Sequence, residues 1–523
     1  MYLTLGLHRA LQQRPHAPFT ITRDRGRTVA ECADRVARLA GALVQLGVAK
    51  DDRVGILSLN SDRFHEYLFA VPWADAVIVP VNFRWSPAEI ATSLEESGTT
   101  VLFVDDTFAP LVPALREQWP GLRTIIHCGD GRVPGGTLPY EDLVADAKPI
   151  PDARRGGDQL AGIFYTGGTT GSPKGVILSH ANIVTSALGS SAAGHFVTPD
   201  GRLLHVAPLF HLAGLGAWVA GNLVGTTHIV LPTFDPAATA RALAEHQATD
   251  VLMVPTMMHM LVNDPTAHEV DLSGVRRLIY GASHVSEPTL RAIEKIMPNA
   301  ALTQAYGMTE LAPVATLLRP ADHADPTLRT SAGRAAPHAE VRIVDPHGNE
   351  VPRGQTGEVV VRGAHVMLGY WNRPEETAHA LRDGWMHTGD AGRMDDYGYV
   401  YIVDRIKDMI ITGGENVYSA EVEAVLATHP AIATCAVVGV PDTDWGERVH
   451  AVVVPKPGTH LTGAELREYC KTRIAGYKSP RSIQFVDQLP ISAAGKILKR
   501  TLRDQYRERP EHLIADRDAL PGA

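Results

Sequence analysis

Short apolar runs alternate with amphipathic stretches through the first three hundred residues of the chain. Arg53-Val54-Gly55-Ile56-Leu57-Ser58-Leu59 reads as a strand, followed by a helix from Asp62 to about Val71 that Pro72 should end or kink. Val77-Ile78-Val79-Pro80-Val81 is the next strand, and Ser86-Pro87-Ala88-Glu89 is a capping box with proline at the first helical position. Apolar runs recur at residues 100–104, 124–127, 228–231, 250–254 and 277–280. Strands alternating with helices in this way imply right-handed βαβ units and a parallel sheet.

From about residue 330 the texture changes to short strands, at 341–344, 357–362 and 399–403, separated by Gly, Pro, Asp and Asn turns. That pattern predicts a small antiparallel, barrel-like unit. Residues 409–523 are expected to form a separate α+β unit. In it Ser419 is expected to cap a helix with Val422, Val425 and Leu426 on one face, and residues 436–440 and 449–454 read as strands. Thr462-Gly463-Ala464-Glu465 is a second capping box, opening a helix with Leu466, Tyr469, Cys470 and Ile474 inward. Charged residues in Asp404-Arg405-Ile406-Lys407-Asp408 interrupt two apolar runs, so the boundary is placed there: 1–403, a hinge at 404–408, then 409–523.

Composition narrows the class. At 523 residues the chain needs more than one core. A net charge of −9 argues against nucleic acid as the main partner, because a basic face would be required. Cys32, Cys128, Cys435 and Cys470 lack metal-ligand spacing and read as buried residues of a reducing, cytoplasmic protein. No signal-like leader is visible and no apolar run is long enough to span a membrane; peripheral membrane contact and a homodimer stay open.

The chemistry concentrates first in Tyr165-Thr166-Gly167-Gly168-Thr169-Thr170-Gly171-Ser172-Pro173-Lys174-Gly175, a polar loop between two apolar runs. A Gly/Ser/Thr run alone would read as a surface loop, and Lys174 at this spacing changes that. Backbone N–H groups beside glycines can approach phosphate oxygens, and the lysine offsets their charge. The mononucleotide P-loop is excluded, because it ends Gly-Lys-Ser/Thr and here Gly175 follows the lysine. Downstream, Ala305-Tyr306-Gly307-Met308-Thr309-Glu310 sets an aromatic face, a hydroxyl and a carboxylate on one tight segment.

The loop resembles the signature of the adenylate-forming superfamily: acyl- and aryl-CoA synthetases, peptide-synthetase adenylation domains and beetle luciferases. Gly167 stands where that family usually has serine. The resemblance implies an α/β fold, with a large N-terminal domain of two parallel-sheet subdomains plus the barrel-like one, and a small mobile C-terminal domain. It implies ATP, Mg2+ and coenzyme A as co-substrates and cofactor. Thr166, Gly167, Gly168, Thr169, Thr170, Gly171 and Lys174 would take the phosphates, Tyr306 the adenine, Thr309 a phosphate and Glu310 the metal. Asp390, at the end of Asp383-Gly384-Trp385-Met386-His387-Thr388-Gly389-Asp390, would accept from the ribose hydroxyls, with Arg405 reaching the ribose or phosphate end. Lys496, in Ser492-Ala493-Ala494-Gly495-Lys496-Ile497, would bridge the substrate carboxylate and the α-phosphate. His211 would gate the acyl pocket, bordered by Tyr280, Gly281, Ala282, Gly307 and Met308; at Gly307 any side chain would block it. Because many relatives have glycine where Tyr280 stands, the pocket is expected to be shortened or bent. Gly413, Gly414, Arg84, Trp445, Tyr477 and Arg481 would serve coenzyme A, and Lys407 would centre the hinge.

The sequence thus points to an ATP-dependent carboxylic acid:CoA ligase working through an acyl-AMP, with a medium- to long-chain fatty acid as the first-choice substrate. An aryl or cinnamate-type acid is the alternative, as is loading of a carrier protein. A luciferase-like oxygenase would share the adenylating step. A non-catalytic nucleotide-binding regulator is the rival from another class, and it would be expected to lack Lys496, Glu310 or Asp390, all of which are present.

Overall fold

The computed structural model describes residues 1–508 apart from Asp24, 167–172, His284, 413–414, Thr443 and 492–496. The chain divides into two compact units, Met1–Val341 with Val360–His387, and Arg342–Val359 with Thr388–Ala523.

The first unit carries two large mixed sheets. One has eight strands, with Val77–Pro80, Arg53–Leu57, Val101–Val104 and Thr124–His127 side by side and parallel. The other has nine, with Thr227–Val230, Arg202–His205, Asp250–Met253, Arg277–Gly281 and Ala301–Gly307 parallel. Every residue of Val77–Pro80, Val101–Val104, Thr227–Val230 and Asp250–Met253 is buried, as expected of strands covered on both faces. The capping box at Ser86 forms as expected and opens the helix Pro87–Ser97. The helix Asp62–Trp73 runs one residue beyond Pro72, which in the last turn removes a single backbone donor.

A layer of aromatic and imidazole rings, Phe19, His65, Phe69, Trp218 and His228, packs with centroid separations of 4.7–5.6 Å for the direct neighbours His65–Phe69, Phe69–Trp218 and Phe19–His228. Its hydrogen bonds fix the tautomers. The Asn222 amide donates to the Trp218 carbonyl, so its oxygen accepts from His228 Nε2. His228 Nδ1 is then the acceptor for His205 Nε2–H at 2.8 Å, and His65 Nδ1 accepts from the Trp218 indole. All three histidines are neutral: burial pushes His205 down to about 3, and His65 and His228 well below their usual range. Beside this layer Arg25, Arg27, Arg35 and Arg63 interlock with Asp62, Glu66, Asp130 and Glu141, and the Tyr140 hydroxyl donates to Glu66. Glu66 is buried against Arg27 and Arg35, so removing both cations would strand its charge.

In the second unit Val400–Arg405 pairs antiparallel with the end of Trp385–Met394, setting Asp390 opposite Arg405. The expected short strands Glu340–Val344 and Gly357–Arg362 are present. The long hairpin Ile432–Asp442 and Gly446–Pro455 forms the centre of the C-terminal sheet, with Ser482–Phe485 parallel to its second strand. Cys435 and Val437 face one cluster with Val422, Leu426 and Leu466, while Ala436, Val438 and Val440 face another with Leu502 and Tyr506. The Thr462 capping box forms as expected. Ser419 does not act as the expected cap: it is the first residue of the helix Ser419–Ala427, and its hydroxyl donates to Asp404 at 2.6 Å. The four cysteines are buried and unbridged. Among the described residues no helix is long and apolar enough to cross a membrane.

The buried histidines make stability pH-dependent. An unfolded histidine takes up a proton near pH 6.5, whereas His205 in the fold resists until about pH 3. Between those values the unfolded state binds more protons, so each such group removes up to about 1.4 kcal/mol of stability per pH unit as pH falls. The urea midpoint should therefore drop from pH 7 to pH 5, and His205→Gln should make that fall shallower. An unchanged slope in the variant would remove the histidine as a cause.

Candidate active site

The strand Leu160–Thr166 and the strand Lys174–Ser179 form an antiparallel pair, with Thr166 opposite Lys174 and Tyr165 opposite Gly175. The pairing brings the two ends of the 167–172 loop together, so Thr166 and Lys174 form its base. Gly167, Gly168, Thr169, Thr170 and Gly171 lie outside the described residues. Gly175 is tightly enclosed: a Cβ there would sit 2.7 Å from Ile163 Cγ2. On its other edge Lys174–Ser179 pairs with Gly369–Tyr370, and Trp371 N–H donates to the Gly175 carbonyl.

Ala301–Gly307 ends at the segment expected to serve the nucleotide. Tyr306 is half-buried opposite Thr316, and Thr309 and Glu310 form a short 3-10 turn. Glu310 is buried, and its Oε1 accepts from the Tyr370 hydroxyl at 2.8 Å. Gly307 owes its lack of a side chain to its own backbone neighbours, since a Cβ would fall 1.9 Å from the Pro313 carbonyl oxygen. The fold thus demands glycine there before any acyl group does. Gly281 is equally constrained, because a Cβ would fall 2.1 Å from the Ala305 carbonyl oxygen. Ala282 follows with φ of 70°, a left-handed conformation uncommon for alanine. Gly281 and Ala305 are register partners, so the segments bearing Gly281, Ala282, Gly307 and Met308 leave two adjacent strand ends.

Tyr280 departs from the expected pocket wall. Its ring is 1% exposed in the core with Met258, Leu278 and Leu290, and its hydroxyl meets His323 Nε2 at 2.8 Å. His323 Nδ1 donates to the Arg319 carbonyl, so Nε2 must be the acceptor of the tyrosine proton. The ring is committed to core packing and to this hydrogen bond.

His211 is half-buried at the N-terminus of the helix Leu212–Val224 and lies edge-on to Phe210 at 6.2 Å. Phe210 packs against Phe83 at 4.9 Å, which places the segment bearing Arg84 beside the segment bearing His211. Asn60, missed by sequence reading, clamps this segment: its amide donates to the Ala207 carbonyl and its side-chain oxygen accepts from Leu209 N–H. A buried asparagine bonded to two backbone groups shows no periodicity, so pattern reading could not find it.

In the second unit Arg405 Nε lies 2.5 Å from Asp390 Oδ1, bringing together the two residues expected at the ribose. Asp390 is buried and its N–H donates to Thr388 Oγ1. Lys407 lies in the turn Ile406–Asp408, where Arg503 holds the Lys407 carbonyl and the Asp408 carboxylate. The Arg481 guanidinium stacks 3.9 Å over the Trp445 ring, and Trp445 and Tyr477 are both exposed. Gly413, Gly414 and Lys496 lie outside the described residues.

The donor chemistry fits a hard cation delivered with phosphates. Among the described residues no three acidic, histidine or cysteine side chains gather as a self-sufficient metal cage. A buried carboxylate next to Thr309 suits Mg2+, which keeps waters and substrate phosphates among its ligands.

Comparison with known proteins shows the family. Residues 7–371 match the family model described as AMP-binding enzyme, and residues 421–496 match the one described as AMP-binding enzyme C-terminal domain. A feruloyl-CoA synthase from Amycolatopsis sp is 42% identical over 95% of this chain and 98% of its own length. A fatty acid–[acyl-carrier-protein] ligase, ScoC of Streptomyces coeruleorubidus, is 36% identical over 95% of this chain and 94% of its own. The crystal structure of ATP-bound MatB from Rhodopseudomonas palustris superimposes with a TM-score of 0.87 at 31% identity, covering 97% of this chain and 99% of that one. With family matches over residues 7–371 and 421–496 and near-full-length relatives of this class, the chain belongs to the AMP-binding, adenylate-forming enzymes and is an acid–thiol ligase.

Proposed function

We propose that this enzyme activates an arylpropenoic acid of the ferulate or cinnamate type with ATP and transfers the acyl group to coenzyme A. The observation that carries this reading is near-full-length similarity to a feruloyl-CoA synthase. The aromatic cluster of Phe83, Phe210 and His211 supports it, as a surface on which an aryl ring could pack. The medium- to long-chain fatty acid becomes the second reading, supported by the similarity to ScoC, which also keeps a carrier protein in view as acceptor.

In the first half-reaction a carboxylate oxygen of the acid attacks the α-phosphorus, and pyrophosphate leaves. The N–H groups of the 166–174 loop and Lys174 hold the β- and γ-phosphates, Tyr306 stacks on adenine, and Asp390 with Arg405 orients the ribose. Mg2+, bound by Glu310 with the phosphates, would supply charge neutralisation on the leaving pyrophosphate. Lys496 contacts the acid and the α-phosphate together, where negative charge grows in the transition state. In the second half-reaction the thiol sulfur attacks the acyl carbon and AMP leaves. His211 admits the thiol, Gly413 and Gly414 allow close backbone approach, and Arg84, Trp445, Tyr477 and Arg481 bind the nucleotide end of coenzyme A. Rotation about Lys407 exchanges the two arrangements of the C-terminal domain.

Pyrophosphate release measured on an acid panel, each acid with and without coenzyme A, tests the substrate reading. Ferulate and cinnamate should exceed octanoate through palmitate by about tenfold or more in kcat/KM, with stimulation by coenzyme A. The reverse order would install the fatty-acid reading, and release indifferent to coenzyme A would favour a carrier protein. Lys496→Ala should cut adenylate formation by about 10²–10³-fold while sparing thioester formation from supplied acyl-AMP. Equal damage to both steps would remove its assigned role. Lys407→Pro should leave adenylation intact and stop thioester formation; normal overall turnover would refute the hinge.

A further inference from the structure

Tyr370 touches both groups that the nucleotide reading depends on. Its hydroxyl donates to Glu310 Oε1 at 2.8 Å, and the Lys174 ammonium stands 5.2 Å from its ring centroid. A carboxylate and an ammonium are thus held on different parts of one rigid side chain, the anion at its tip and the cation over its face.

The backbone around Tyr370 makes this a built arrangement. Met367 N–H donates to the Glu310 carbonyl at 2.9 Å, so the segment is tied directly to the acidic turn. Just beyond, Gly369–Tyr370 pairs with Val176 and Ile177, close after Lys174, and Trp371 N–H donates to the Gly175 carbonyl at 2.7 Å. Tyr370 N–H donates to Thr377 Oγ1, which in turn donates to the Arg373 carbonyl. Gly369, at φ of 150°, lets this crossing form, because a Cβ would stand 2.8 Å from Thr377 Cγ2. Trp371 and Arg373 then anchor to Glu96 through the indole N–H and the guanidinium.

We propose that Tyr370 is a positioning residue that sets the spacing between the metal-binding carboxylate of Glu310 and the phosphate-binding ammonium of Lys174. This rests on the nucleotide reading of Glu310 and Lys174. The hydroxyl orients the carboxylate, as partners of metal ligands commonly do. The ring face directs the lysine by cation–π attraction, which restrains a long, flexible stem without neutralising its charge. The two contacts separate chemically, so they separate experimentally.

The test uses the full-length enzyme with ATP and reads binding by calorimetry, in excess Mg2+ and in EDTA, together with Mn2+ uptake by paramagnetic resonance. Tyr370→Phe keeps the ring and loses the hydroxyl. It should weaken metal uptake in the ATP complex by about tenfold or more and leave metal-free ATP affinity within about twofold. Tyr370→Leu loses both contacts and should weaken metal-free ATP binding as well, by a few fold. Unchanged melting temperatures for the phenylalanine variant would separate positioning from a fold defect. Wild-type metal uptake in Tyr370→Phe, or equal losses with and without metal, would overturn the proposal. Glu310→Gln distinguishes the two levels: if it shifts metal uptake while Tyr370→Phe does not, only the role of Tyr370 falls. If Glu310→Gln leaves metal uptake unchanged, the metal reading falls and the proposal with it.

Discussion

The approach of bare backbone at two strand ends governs the geometry of the first unit. At Gly307 and Gly281 a methyl group would lie 1.9 Å and 2.1 Å from a carbonyl oxygen, so no side chain can stand at either place without moving the strands. This contact lets Ala301–Gly307 run beside Arg277–Gly281 to the end of the latter and then turn directly into Thr309–Leu311. The turn delivers the Glu310 carboxylate to Tyr370, and Tyr370 lies on the strand that edges the pair Leu160–Thr166 and Lys174–Ser179. On the adenylate reading, substrate space and nucleotide chemistry share one mechanical origin, which is a shortage of room at the ends of the parallel strands. Open α/β sheets place ligands at such ends, in the crevice outside the strands' carboxyl termini.

The parallel strands were legible because burial on both faces leaves a continuous apolar run, as in 77–80 and 101–104. The capping boxes at Ser86 and Thr462 were legible because their hydrogen bonds close within four residues. What escaped was long-range. Ser419 carries every local mark of a helix cap, yet Asp404, fifteen positions upstream in the chain, takes its hydroxyl, and Ser419 is a helical residue. Asn60 and Tyr370 act across 147 and 60 positions of sequence, and a lone polar residue carries no period that would announce such a partner. Tyr280 shows the same limit from the other side. Its neighbours in sequence resemble a pocket edge, while strand alternation sends its ring to the opposite face, into the core and onto His323.

Charge is managed in two ways. In the first unit the arginine–carboxylate network is mutually paired around the buried Asp62 and Glu66, so it stiffens the helix Asp62–Trp73 against its neighbours. The nearby histidines solve the same desolvation problem by staying neutral and passing hydrogen bonds along from His205 to His228 to Asn222. Both clusters spend their charge and hydrogen-bonding capacity on the fold. The groups suited to a ligand are restrained differently, each by a contact at a defined point: Glu310 by a phenol at Oε1, Lys174 by a ring face, Asp390 by a guanidinium at Oδ1. For Glu310 and Lys174 such a contact fixes the direction of the group without offsetting its charge, because neither a phenol nor a ring face is charged, whereas the Asp390 contact is an ion pair.

That distinction bears on the ribose reading of Asp390. Arg405 engages Oδ1, and an ionised carboxylate has about four lone-pair sites over its two oxygens. A carboxylate can therefore take hydroxyl donors alongside an arginine rather than in place of it, and the guanidinium aims it. The pair also sits on register-matched strands of which the second runs into the 404–408 segment, with Asp404 bonded to Ser419 and Lys407 and Asp408 held by Arg503. A nucleotide pressing on Asp390 and Arg405 would pull on the strand that leads into the turn bearing Lys407. On the ribose and hinge readings the two would be mechanically linked within one unit, because Arg405 is joined to Lys407 by a single intervening residue.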